Sequence, residues 1–179
     1  MRHYSSQGIV LARQNFFEAD RILTIFSKDY GKVRLLARGV RKPESRKRGH
    51  IEVFNYIKFS VVRGRSLDIL SEVETIVSFN LLRNDLRKMS VFYFLAEAIT
   101  RLTRDGEKNE RLLNLILVSF NKTVKSKNLK GLRKDFIYQC LVVLGFWPEG
   151  RRMEDPDKVL RDIAEREMFS ARVGKEILI

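Results

Sequence analysis

Near Phe79 the spacing of apolar residues changes period, and this change divides the chain into two kinds of structure. Upstream, short runs rich in Val, Ile and Phe alternate with turn-forming residues, the pattern of a small all-β barrel or sandwich. Five strands are expected, at about Gln7 to Arg13, Arg21 to Ser27, Lys32 to Gly39, Glu52 to Val62 and Leu67 to Val73. Asp29-Tyr30-Gly31-Lys32 and Arg63-Gly64-Arg65-Ser66 place glycine where a tight reversal needs it. Strands consecutive in the chain are therefore expected to be antiparallel neighbours.

Downstream, Leu82, Leu86, Met89, Phe92, Tyr93, Ala96 and Ile99 recur at three- and four-residue steps, which predicts an amphipathic helix. A second helix is expected from about Glu110 to Val124, and a third from about Leu132 to Leu144, stopped by Gly145 and Pro148. Asp155 as N-cap and Pro156 at the first helical position begin a fourth. The tail Ser170 to Ile179 can add a last short one. The fold class is α+β with separate domains: a five-stranded barrel over residues 1–79 and a helical bundle over residues 80–179.

Charge narrows the function. The chain carries 35 Lys and Arg against 22 Asp and Glu, a formal +13, and such an excess opposes compaction unless a polyanion partners it. Hydrophobic residues make up 44% of the chain, enough for real cores, so this is not a disordered basic tail. The lone Cys140 excludes an internal disulfide and a multi-thiolate zinc site; within the apolar run Tyr138 to Trp147 it reads as a buried, reduced thiol. The apolar runs fall short of the roughly 18 residues a membrane span requires. The first residues lack the pattern of a secretory signal, so the expected location is the cytoplasm, on the nucleoid.

The densest cationic stretch is Leu-Leu-Ala-Arg-Gly-Val-Arg-Lys-Pro-Glu-Ser-Arg-Lys-Arg-Gly-His, Leu35 to His50. It gathers Arg38, Arg41, Lys42, Arg46, Lys47 and Arg48, with Glu44 as the only counter-charge, in a loop between the third and fourth strands. One common five-stranded barrel is the oligonucleotide-binding fold. Arg suits phosphate because its planar fork donates two hydrogen bonds to one group, and Lys supplies a compact charge. Arg13, Lys28, Lys32, Arg34, Lys58, Arg63 and Arg65 lie on adjoining strands or turns, so a continuous basic face is expected. In the fourth strand Phe54, Tyr56 and Lys58 share one face, and Asn55, Ile57, Phe59 and Val61 the other. Tyr56 beside Lys58 is thus the candidate for stacking on bases, although packing explains Phe54 and Tyr56 equally well.

Gly8-Ile9-Val10-Leu11, Glu18-Ala19-Asp20-Arg21, Gly31-Lys32, Ala37-Arg38-Gly39-Val40-Arg41-Lys42-Pro43, Ser45-Arg46, Arg63-Gly64 and Leu67 occur in an order that resembles the bacterial recombination-mediator family RecO. The resemblance covers about the first 75 residues; the helical half is similar more weakly, through Leu144-Gly145-Phe146 and Pro148. It implies an oligonucleotide-binding barrel followed by a helical domain, without catalytic activity. It further implies binding of single- and double-stranded DNA, annealing of complementary strands, and work with RecR to load RecA on DNA covered by single-strand-binding protein. Arg38, Arg41, Lys42 and Arg46 match the family's basic motif. Many members carry a four-cysteine zinc module after the Leu-Gly-Phe segment; here Glu149-Gly150-Arg151-Arg152 stands there, so neither zinc nor another cofactor is expected. The acidic tail of single-strand-binding protein is expected to dock in the helical domain, on an apolar pocket rimmed by cations. Arg101, Arg104, Arg133, Lys134, Arg151 and Arg152 supply candidates.

Glu18 with Asp20, and Asp155 with Asp157, could hold a metal in a nuclease, but neither pair has a histidine nearby, and a turn cap and a helix start explain them better. No Gly-Lys-Ser/Thr phosphate loop is present. Binding of structured RNA stays open as the alternative. A lipid surface ranks last, because the amphipathic helices need their apolar faces for a core.

Overall fold

The computed structural model describes residues 3–79 and 84–164; the last helix expected over Ser170 to Ile179 lies outside them. Five strands come first: β1 (His3–Phe16), β2 (Asp20–Ser27), β3 (Gly31–Ala37), β4 (Tyr56–Val62) and β5 (Asp68–Val77). They close into a barrel in the order β1-β2-β3-β5-β4, the five-stranded oligonucleotide-binding architecture. Its interior follows from alternation, with Leu23 and Ile25 of β2, Leu35 and Ala37 of β3 and Ile57, Phe59 and Val61 of β4 all pointing inward into one core.

The strand order corrects one expectation. Consecutive strands pair antiparallel at β1–β2, β2–β3 and β4–β5. After β3 the rule fails: β3 pairs with β5 in parallel, Leu35 opposite Asp68, while β4 closes the barrel against β1. The physical reason lies in the segment between β3 and β4. Hairpin loops run to a few residues, whereas this one extends from Arg38 to Asn55 and carries Val40 and Ile51, both fully buried in the barrel core. Burying those two side chains ties the cationic segment to the barrel, so it is a plug as well as a loop.

β4 also begins later than the sequence suggests. Phe54 has φ 73°, a left-handed conformation that ends an extended strand and that bulky residues adopt only under constraint. The constraint is visible. Phe54 N–H donates to the Val10 carbonyl at 2.7 Å, its ring is buried, and the buried Asn55 amide donates to the Gly49 and His50 carbonyls at 3.2 and 3.0 Å. Phe54 is therefore core, not a member of the outer face with Tyr56 and Lys58.

Two glycines mark close approaches. A Cβ on Gly8 would lie 2.6 Å from the Phe26 carbonyl oxygen across the β1–β2 ladder. Gly31, at φ 61°, has its Cβ position 2.1 Å from the Glu107 carbonyl oxygen. Glu107 belongs to Arg104–Asn109, which clusters with Met1–Asn80 as one compact unit; Leu81–Thr103 and Glu110–Ile179 form the other. Gly106 N–H donates to the Lys32 carbonyl at 2.9 Å, and Lys32 Nζ lies 3.2 Å from Asp105 Oδ1.

The second unit contains α1 (Leu86–Leu102), α2 (Glu110–Lys125), α3 (Leu129–Val143) and α4 (Pro156–Ala164). Side chains cap three starts: Asp85 accepts from Lys88 N–H, Asn128 from Gly131 N–H and Asp155 from Lys158 N–H. Phe92 and Phe120 meet edge to face at 4.4 Å, and Cys140 is buried on α3.

Candidate nucleic-acid interface

The site begins with how the plug is held. Gly39 turns the chain out of β3 at φ 66°, and its N–H donates to Asp20 Oδ1 at 2.8 Å. Two residues on, Arg41 N–H donates to the Ala19 carbonyl at 2.9 Å and Arg41 Nη1 to the Phe17 carbonyl at 3.0 Å. The cationic segment is thereby fastened to the β1–β2 hairpin tip, and the Asp20 carboxylate serves as a backbone cap. Farther along, Lys47 Nζ donates to the Leu70 carbonyl at 3.2 Å, and His50 Nδ1 accepts from Thr75 N–H at 3.1 Å. These contacts join the far end of the segment to β5.

Arg38, Arg41, Lys42, Arg46 and Arg48 are open to solvent, with Glu44 the one acidic residue exposed among them, while Lys47 is half-buried. Beside them sits a group drawn from β1, β2 and the plug itself. Arg13 on β1 pairs with Glu52, and Arg21 on β2 places Nη1 3.9 Å from the same carboxylate. Arg21 Nη1 is buried with no hydrogen-bond partner. Its guanidinium pKa is lowered first by burial and then by Arg13, with Glu52 opposing and Arg48 and Arg41 adding to the repulsion. Arg13 and Arg21 thus share one carboxylate, and Arg41 and Arg48 add positive charge near Arg21, an arrangement chemically suited to a further anion.

The remaining predicted residues fall elsewhere. Arg34 is exposed on β3, in register with Thr24 of β2. Arg63 and Arg65 are exposed in the β4–β5 turn. Because Leu35 is in register with Asp68 in the parallel β3–β5 pair, that turn lies toward the Gly31 end of β3, away from Arg38. Lys58 is exposed on β4 opposite Glu74 of β5, in a shallow depression that Glu72 also lines. The expected continuous basic face is therefore interrupted. Strand order explains this, since β4 sits between β5 and β1 and meets the carboxylates of β5 where cations of β3 had been expected.

Tyr56 is half-buried and donates its hydroxyl to Gln7 Oε1 at 2.8 Å; burial pushes its phenol above the ordinary value, against the pull of Lys28. A more open aromatic was missed. Phe17, at the β1–β2 tip, is 78% exposed. The signal available was an aromatic doublet, Phe16-Phe17, at the end of a strand where a turn residue would be usual.

The family model described as "Recombination protein O N terminal" matches residues 1–79, the whole of the five-stranded barrel. This chain belongs to the RecO family. Relatives named "DNA repair protein RecO" extend the likeness into the helices. The protein of Desulforamulus reducens is 36% identical over 149 residues, covering 83% of this chain and 58% of its own. That of Pelotomaculum thermopropionicum is 34% identical over 148 residues, covering 83% and 57%. That of Desulfitobacterium hafniense is 31% identical over 171 residues, covering 96% and 62%. The chain thus spans less than two thirds of the length of these RecO relatives. Among the described residues no group of three or more His, Cys, Asp or Glu is placed to hold a metal ion, and no helix is long and apolar enough to cross a membrane.

Proposed function

We propose that this RecO-family chain acts in DNA repair and recombination by binding single- and double-stranded DNA at the cationic end of its barrel and annealing complementary strands, without bond chemistry of its own. The observation that carries the reading is the pairing of both Arg13 and Arg21 with Glu52 beside a plug that exposes Arg38, Arg41, Lys42, Arg46 and Arg48. Two complementary strands repel through their phosphates; neutralising one or both lowers that barrier and lets bases find partners. Because Val40 and Ile51 hold the plug in the core, the cations are presented from a fixed backbone, which reduces the ordering that binding must impose.

The family resemblance extends the proposal to partners: RecR, single-strand-binding protein and, through them, the loading of RecA. An acidic tail with an apolar end needs an apolar floor with a cationic rim. Within the helical unit, Leu132 and Gly131 with Lys122 and Lys125 line a depression of about 440 Å³ at the α2–α3 junction, in which Asp135 is the one acidic lining residue. This supports a docking place there. Arg133 is removed from the candidates, because its guanidinium is buried, bonded to Asp157 and stacked 4.0 Å from the Phe94 ring centre.

The test is annealing of complementary oligonucleotides with and without cognate single-strand-binding protein, alongside a salt titration of affinity. Acceleration of annealing is expected, with log affinity falling by roughly 0.7 per phosphate neutralised for each log of salt on single strands. A slope near zero, or tighter binding of a matched RNA than of DNA, overturns the reading.

A further inference from the structure

We infer that Phe17, at the tip of the β1–β2 hairpin, is a base-stacking contact that makes the cationic site selective for single-stranded DNA. The inference rests on the DNA-binding reading above and adds to it a residue and a specificity.

A single exposed apolar side chain is ordinary on a protein surface. Phe17 departs from that in three ways. It is 78% exposed although aromatic and at a hairpin tip. Its φ is 49°, one of two positive values among non-glycine described residues, where a turn would ordinarily use Gly or Asn. Finally, the conformation is held from outside the hairpin, by Arg41 Nη1 on the Phe17 carbonyl and Arg41 N–H on the Ala19 carbonyl. The ring is supported by Phe16, edge to face at 4.3 Å. The other positive-φ residue, Phe54, directs its ring into the core; Phe17 is fixed in a similar conformation with its ring in solvent.

The residue that holds Phe17 also belongs to the phosphate-binding group. Arg41 contributes to the field at Arg21 together with Arg13 and Arg48. One arginine therefore links an open aromatic face to a cluster of guanidinium groups, and a nucleotide offers both complements, a π-face and a phosphate. Bases inside a duplex are stacked on one another and have no free face, so a ring at this place gains contact only with unpaired bases. The cations serve both kinds of DNA, and Phe17 serves one.

The experiment compares the full chain with Phe17→Ala and Phe17→Trp on a single-stranded oligonucleotide and on the matching duplex, by fluorescence anisotropy. Phe17→Ala is expected to lower single-strand affinity about tenfold, the scale of one lost base–aromatic stack. Its salt slope and duplex affinity should match wild type, and Phe17→Trp should bind as wild type with quenching beyond that of Trp147. Circular dichroism melting confirms that each variant is folded. Equal losses on single strand and duplex would assign the effect to displacement of Arg41 and overturn the inference, as would unchanged single-strand affinity in Phe17→Ala. If the wild-type chain binds no single strand, it is the proposed function that fails.

Discussion

Ile51→Ala tests whether the cationic segment is part of the barrel core. Ile51 is fully buried and lies in one cluster with Val10, Leu23, Leu35 and Phe59. The substitution removes three buried carbons, about 2.4 kcal/mol of transfer free energy at about 0.8 kcal/mol each. The cavity left behind adds to this, because strands on several sides cannot all close on it, and about 3–4 kcal/mol is expected in total. Lys42→Ala, on the same segment but exposed, should change stability by about 0.5 kcal/mol or less. Urea unfolding is followed by far-ultraviolet circular dichroism, with Trp147 fluorescence reporting separately on the helical unit, since two compact units need not unfold as one transition. A loss below about 1 kcal/mol in Ile51→Ala, at unchanged denaturant slope, would mean that the segment lies outside the core and that its cations are not held in place by it.

Gly8→Ala should destabilise the barrel by about 1–3 kcal/mol, because the added methyl meets the Phe26 carbonyl and Ile25 side chain inside normal contact distance; an unchanged melting temperature counts against that geometry. Asp157→Ala should cost the helical unit about 3–5 kcal/mol by leaving the Arg133 charge buried without its partner, and Arg133→Met distinctly less, as read by Trp147 fluorescence in urea. Burial pushes the Cys140 thiol up to about 12 from 9.0, so the folded state favours the neutral form. Its contribution to stability is complete below about pH 9 and is lost as pH rises toward 12. At pH 8 a thiol reagent should leave the native chain unlabelled and modify it once after unfolding; rapid labelling of the native chain would contradict the burial.

Much of the barrel was legible because alternation is a local signal. Ile57, Phe59 and Val61 read as one buried face, and they are. Strand order is not local: whether β4 follows β3 or crosses to β1 depends on Val40 and Ile51, two apolar residues within a run of cations whose charge suggests solvent. The position of Lys58 beside Glu74 follows from that crossing, and pairing β4 with β3 could only misplace it. Among the helices, Asp155-Pro156 was a readable start, whereas α3 begins at Leu129, before its expected Leu132. Gly131 lies inside its first turn, and its N–H is the donor that the Asn128 cap satisfies. Phe17 and Tyr56 differ in exposure through their surroundings, which composition does not encode. Arg133 carries a surface residue's charge but is buried, because Asp157 and Phe94 come to it from α4 and α1.

The return of Arg104–Asn109 to the barrel bears on how such a chain can be cut and joined. The polypeptide leaves the barrel unit, forms α1, comes back to lie against Gly31 and Lys32, and only then continues into α2. A gene truncated after β5 would therefore encode the five closed strands without the strap packed on their β2–β3 turn. Shuffling whole barrels between relatives at that point would carry each one away from the short strap fitted to its β2–β3 turn. The compact barrel unit is discontinuous in the gene, and a graft that preserves it has to extend through Asn109.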